Sequence, residues 1–75
     1  MEPLITASSA ILGGKPIISG TRISVDFILE LLASGVTEKE ILTDYPQLSN
    51  EAISACLYYA AHALKNEVYI DLKAA

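Results

Sequence analysis

One arrangement recurs three times along this chain and constrains its fold more than any other feature. A hydroxyl residue follows an apolar one, and an isoleucine stands four positions beyond the hydroxyl: Ile23-Ser24 with Ile28, Val36-Thr37 with Ile41, Leu48-Ser49 with Ile53. Serine or threonine at a helix N-cap accepts a hydrogen bond from an otherwise unpaired backbone N–H. The apolar residue before it packs on the fourth helical residue as a hydrophobic staple. The spacing therefore predicts three helix starts, just after Ser24, Thr37 and Ser49. Thr37-Glu38-Lys39-Glu40 is also a full capping box, because Glu40 can return a bond to the Thr37 N–H.

The helix ends are marked less uniformly. Helix one is expected over about Val25 to Ser34, with Val25, Ile28, Leu29 and Leu32 as its apolar stripe and Phe27 and Leu31 widening it. Gly35 stops it at C′, and Val36 can then touch Leu31 as in a Schellman motif. Helix two is short, about Glu38 to Asp44, because Pro46 steers Tyr45 away from helix and leaves it wedged in the turn. Helix three is expected over about Asn50 to Asn66, with Ile53, Cys56, Leu57, Ala60 and Leu64 on one side. Its middle, Tyr58-Tyr59-Ala60-Ala61, is apolar nearly all round, so more than one face is expected to be covered.

Ahead of the helices, residues 1–23 read as an extended arm. Leu4-Ile5-Thr6 and Pro16-Ile17-Ile18-Ser19 are short extended segments punctuated by Gly13-Gly14 and Gly20. Pro16 has no N–H to donate, so a strand there belongs at a sheet edge. Gly20-Thr21 reads as the turn into helix one. In the tail, residues 67–75, Glu67-Val68-Tyr69-Ile70-Asp71-Leu72-Lys73 alternates polar and apolar. That pattern favours a strand over a continued helix, although Leu64, Val68 and Leu72 also lie four apart. The expected architecture is mainly α, one domain over 1–75: a β arm, three helices over 24–66 containing a helix-turn-helix, and a C-terminal strand.

With 75 residues, 52% of them apolar, the chain is small for the apolar surface it must bury. Some of that surface is expected to face a homodimer mate or another protein. The single cysteine, Cys56, cannot form an internal disulfide, which favours a cytoplasmic location. Neither a basic, apolar secretory leader nor an uncharged membrane-spanning run is evident. The net charge of −4 argues against nucleic acid as the obvious partner and suits an acidic inhibitor or adaptor.

Helix two, the turn and helix three have helix-turn-helix proportions, which would present Asn50, Glu51, Ser54, Ala55 and Tyr58 outward. Asn50 and Ser54 could reach bases, but Glu51 faces phosphate with the wrong sign, and a packed αα-corner is the plainer reading. On the arm, Lys15 and Arg22 flank glycines that permit close approach to phosphate or a carboxylate. The structural alternative has Arg22 bonding backbone carbonyls, Asp26 or Asp44. Gly14-Lys15-Pro16 lacks the spacing and the following hydroxyl of a P-loop. His62 and Cys56 stand without further ligands for a metal or a base for a nucleophile. The acids Asp26, Glu30, Glu38, Glu40 and Asp44 suit exposed helical faces. No catalysis, cofactor or small-molecule substrate is expected. Tyr58, Tyr59 and Tyr69 read as an interface cluster, with core packing the alternative for Tyr59. Val68, Tyr69, Ile70 and Leu72 are the candidate partner-binding residues.

Three runs together are distinctive: Gly13-Gly14-Lys15-Pro16-Ile17-Ile18-Ser19-Gly20-Thr21-Arg22-Ile23-Ser24-Val25, Leu31-Leu32-Ala33-Ser34-Gly35 and Tyr45-Pro46-Gln47-Leu48. They resemble the domain-of-unknown-function family numbered four hundred and thirty-three, over about Ile5 to Ala61. That resemblance implies a homeodomain-like helix-turn-helix fold and an antitoxin of the VapB kind, encoded beside a PIN-like ribonuclease toxin. It places Gly14, Lys15, Pro16, Gly20, Thr21 and Arg22 in the family signature without giving them a role. Ser19 stands where the family often has arginine, which makes the arm less basic and weakens the case for DNA. The expectation is an antitoxin-like module that neutralises such a toxin and autoregulates its operon. The alternatives are a dimeric DNA-binding regulator and a structural adaptor.

Overall fold

The computed structural model describes residues 4–7 and 11–64. Two short strands, β1 (Ile5–Ala7) and β2 (Pro16–Ile18), precede three helices, α1 (Val25–Ala33), α2 (Glu38–Asp44) and α3 (Asn50–Ala63). The C-terminal strand expected at 67–73, with Val68, Tyr69, Ile70 and Leu72, lies outside the described residues.

The two extended segments of the arm pair with each other. β1 runs antiparallel to β2 in the register Ile5 to Ile18, Thr6 to Ile17 and Ala7 to Pro16. A tight turn at Leu12–Gly14 leads into β2, and its three residues have φ of 50, 66 and 88°. Two glycines supply that left-handed geometry at little cost; Leu12 adopts it against its preference. The following turn is locked by a hydroxyl. Thr21 Oγ1 donates to the Ile18 carbonyl at 2.7 Å and accepts from the Ile23 N–H at 2.9 Å. Gly20, at φ 78°, occupies the position in it that needs positive φ.

All three predicted caps form. Ser24 accepts from the Phe27 N–H, Ser49 from the Ala52 N–H, and Thr37 from the Glu40 N–H at 3.1 Å. The capping box closes when Glu40 Oε1 accepts from the Thr37 N–H at 2.9 Å. That backbone bond first, and then the Thr37 hydroxyl donating to the same oxygen at 3.0 Å, hold the Glu40 carboxyl below its ordinary value. At the end of α1, Val36 N–H donates to the Leu31 carbonyl and Gly35 N–H to that of Leu32, the expected Schellman pattern. Ser34 is the C-cap of α1, one residue inside the expected end. α3 closes at Leu64, short of the expected Asn66, where no glycine or proline marks a stop.

The inner halves of the staples make the core. Ile28, Ile41 and Ile53 all have 0% exposure, as does Cys56. Ile18, Val25, Leu48 and Ala52 complete the cluster, which joins all three helices to the sheet. Tyr45 packs against this core and meets Phe27 edge-on, ring centres 5.9 Å apart. One expectation for α3 is corrected. Ile53 and Cys56 are buried and Ala60 half-buried, but Leu57 is 49% and Leu64 61% exposed. The 3.6-residue period turns Leu57 about 100° away from Cys56, off the inner face.

Candidate functional site

The helix-turn-helix presents its outer face through α3. Asn50, Glu51, Ser54 and Tyr58 are exposed there and Ala55 is half-buried. These five residues and Leu4, the residue just ahead of β1, line a shallow depression. Thus Leu4 walls one side of the face a helix-turn-helix would offer to a groove of DNA. Glu51 lies within it, and a carboxylate opposes phosphate.

The arm's cations stand elsewhere. Lys15 Nζ lies 3.3 Å from Asp26 Oδ2 in the first turn of α1. The Ser24 hydroxyl first, and then Lys15, hold the Asp26 carboxyl below its ordinary value. Both side chains are more than half exposed, so the pair adds little stability but commits the lysine's charge locally. Asp26 is therefore the partner of Lys15 and not of Arg22. Arg22 is exposed in the turn between β2 and α1 and makes no ion pair among the described residues.

Lys15 and Asp26 form the rim of a different concavity, an apolar groove of about 340 Å³ between β2, α1 and the last turns of α3. Its walls are Pro16, Val25 and Leu29 on one side and Tyr59, Ala60, Ala63 and Leu64 on the other. Lys15 is consequently not brought together with Asn50 and Ser54, which line the depression on the outer face. The groove was not singled out from the sequence. Its only sequence signal is the nearly all-apolar middle of α3, which was read as a doubly covered segment. Among the described residues Ala60 is half-buried while Tyr58 is 68% and Tyr59 42% exposed, with Leu64 beyond them at 61%.

The reactive side chains are disposed quietly. Burial pushes the Cys56 thiol up, opposite to the shift that activates a nucleophile. The His62 ring nitrogen Nδ1 lies 2.9 Å from the Tyr58 carbonyl, which can only accept. No group of acids, histidines and cysteine among the described residues is placed to hold a metal ion. No helix among them is long and apolar enough to cross a membrane.

Fold and surface together define a small helix-turn-helix domain with a β-hairpin arm and an apolar groove. The chain belongs to the DUF433 family, proteins of unknown function, which it matches over residues 5–60. An uncharacterised protein of Sinorhizobium fredii, y4eO, is 35% identical to it over 72 residues. That similarity takes in 92% of this chain but 33% of the relative's length. A crystal structure of a DUF433 member from Anabaena variabilis superposes with a TM-score of 0.76 at 32% identity. It covers 79% of this chain and 58% of that one. The domain thus spans about a third of the one relative and rather more than half of the other.

Proposed function

We propose that this chain is a non-enzymatic, cytoplasmic protein-binding module of the antitoxin type, which caps a PIN-like ribonuclease and restrains its activity. The observation that carries the protein-binding half is the apolar groove between α1 and α3, flanked by Tyr59 and Leu64. Apolar surface of this kind, rimmed by polar groups such as Lys15 and Asp26, is the chemistry of a protein contact. The alternating polar and apolar sequence from Glu67 to Lys73 is the second candidate contact. The toxin half rests on the family resemblance of the arm and turn motifs.

Operon control through DNA is the second reading, favoured by the exposed Asn50 and Ser54 on a helix-turn-helix. It ranks below the first because Glu51 shares their face and Lys15 is paired with Asp26.

Co-expression with the neighbouring open reading frame tests the proposal. The two products should co-purify, growth inhibition by the neighbour should be relieved, and Leu64→Glu should abolish both effects. A neighbour that neither binds nor is neutralised refutes the antitoxin reading. For the second reading, the chain should bind its own upstream DNA with an affinity that falls steeply with salt. A flat response, or none lost on Arg22→Ala, counts against it.

A further inference from the structure

Along its outer face α3 carries Glu51, Ala55, Tyr58 and His62 in a single line, since spacings of four, three and four residues return to the same side of a helix. Tyr58 stands out from that line at 68% exposure. Beside it is the depression floored by the small residues Ser54 and Ala55 and walled by Leu4. A protruding ring and a small-residue socket therefore sit next to each other on one helix.

The line is complementary to its own reverse. Turned end for end, acid, small, aromatic, base sets Glu51 against His62 and Ala55 against Tyr58, at both ends of the contact. A two-fold axis performs that operation, and such an interface meets itself with the same patch from each copy. The ends match: Glu51 lies in the first turn of α3 and His62 in the last, so antiparallel packing sets the acid against the imidazole and opposes the helix dipoles. With Nδ1–H donating to the Tyr58 carbonyl, Nε2 can donate to a carboxylate only when the ring is protonated at both nitrogens, so the Glu51 contact requires the imidazolium.

We propose that the chain forms a two-fold dimer in which α3 packs antiparallel on α3 of a second copy, each Tyr58 seated over Ser54 and Ala55 of its mate and each Glu51 meeting His62. The apolar groove lies on another side of α3, where Ala60, Ala63 and Leu64 are rotated by about 110° or more from the line and only Tyr59 borders it, so its α1-facing wall stays open in the dimer. The pairing does not depend on a toxin partner. It does cover Asn50 and Ser54, so it excludes base reading by this face.

Sedimentation velocity of the full chain over a concentration series tests it. The wild type should sediment as a dimer. Tyr58→Ala and Ser54→Phe should each raise the dissociation constant at least about 30-fold, the effect of a buried hot-spot ring. Far-UV circular dichroism should be unchanged, because both side chains are exposed in the single chain. Glu51→Lys should weaken the dimer, and Glu51→Lys combined with His62→Glu should restore it by exchanging the two charges. A monomeric wild type overturns the proposal, as does a dimer that both Tyr58→Ala and Ser54→Phe leave intact, or a charge-exchanged variant no tighter than Glu51→Lys alone. Loss of DNA retention on Tyr58→Ala with sedimentation unchanged would assign the face to nucleic acid instead. Co-purification of the neighbouring product is read on Leu64→Glu, so a failure of the antitoxin reading is distinguishable from a failure of the dimer.

Discussion

Replacing Ile41 by alanine tests whether the three staples converge on one core. Ile41 is the fourth residue of α2, has 0% exposure, and belongs to a cluster with Ile28, Ile53 and Cys56. The substitution removes about three carbons, worth about 2.4 kcal/mol at 0.8 per buried methylene. A cavity term is added because the surrounding helices relax only partly, giving about 3–4 kcal/mol in all. At 0.05–0.15 kcal/mol per residue, a domain of 75 residues has only about 4–11 kcal/mol to lose. Ile41→Ala should therefore remove a third or more of the stability, while Ile41→Val should cost about 1 kcal/mol. Urea unfolding followed by far-UV circular dichroism at fixed protein concentration measures both, with the midpoint falling and the slope unchanged. Val36, the outer half of the same staple, is only half-buried, so Val36→Ala should cost less than Ile41→Ala. A loss below about 1 kcal/mol for Ile41→Ala, or one no larger than that of Val36→Ala, would refute the convergence of the staples.

Thr37→Ala removes the hydroxyl that accepts from the Glu40 N–H and should cost about 1 kcal/mol in the same urea assay, with Thr37→Gly milder. Gly35 has φ +99° with open space around it, so Gly35→Ala should destabilise by about 1–2 kcal/mol through backbone strain alone, read as a fall in melting temperature. Asp26 and Glu40 are held below their ordinary values in the folded chain. Their contribution is therefore present above the unfolded carboxyl values, near 4, and is lost as pH falls through the lowered folded ones. Melting temperature against pH between about 2 and 6 should drop on the acid side, and Lys15→Met should flatten that drop by loosening the hold on Asp26.

What could be read from the sequence was local, and it was read well where several local signals agreed. Ser24, Thr37 and Ser49 mark helix starts because the bonds they accept come from residues three positions on, within reach of a sequence pattern. Gly35 and Pro46 end α1 and α2 for reasons equally local. The end of α3 had no such punctuation and was placed too late. The two extended segments of the arm were legible, but their pairing as β1 and β2 was not, because it depends on contacts between residues 11 to 13 positions apart or, for Ala7 with Pro16, nine. Nor was the Lys15–Asp26 bond, since it spans eleven positions and depends on how the arm crosses the first turn of α1.

The site was less legible than the fold because it is made by what the core leaves uncovered. Periodicity identifies apolar residues that can share a face but not how many helices are present to cover it. Among the described residues, with α1, α2 and β1 packed on it, α3 buries Ala52, Ile53 and Cys56 and leaves Leu57, Tyr58 and Leu64 exposed. The apolar middle of α3 is thus a statement about missing neighbours, and the two sides it exposes differ in chemistry. The groove side offers an almost purely apolar wall against α1. The outer side offers an aromatic ring and small residues, with an acid at one end and a histidine at the other. A generic apolar contact suits the first; the second has the ordered asymmetry that only a reversed copy of itself matches position for position. The two proposed contacts, one with a protein partner and one with a second copy, would between them cover much of the apolar surface that so short a chain leaves exposed.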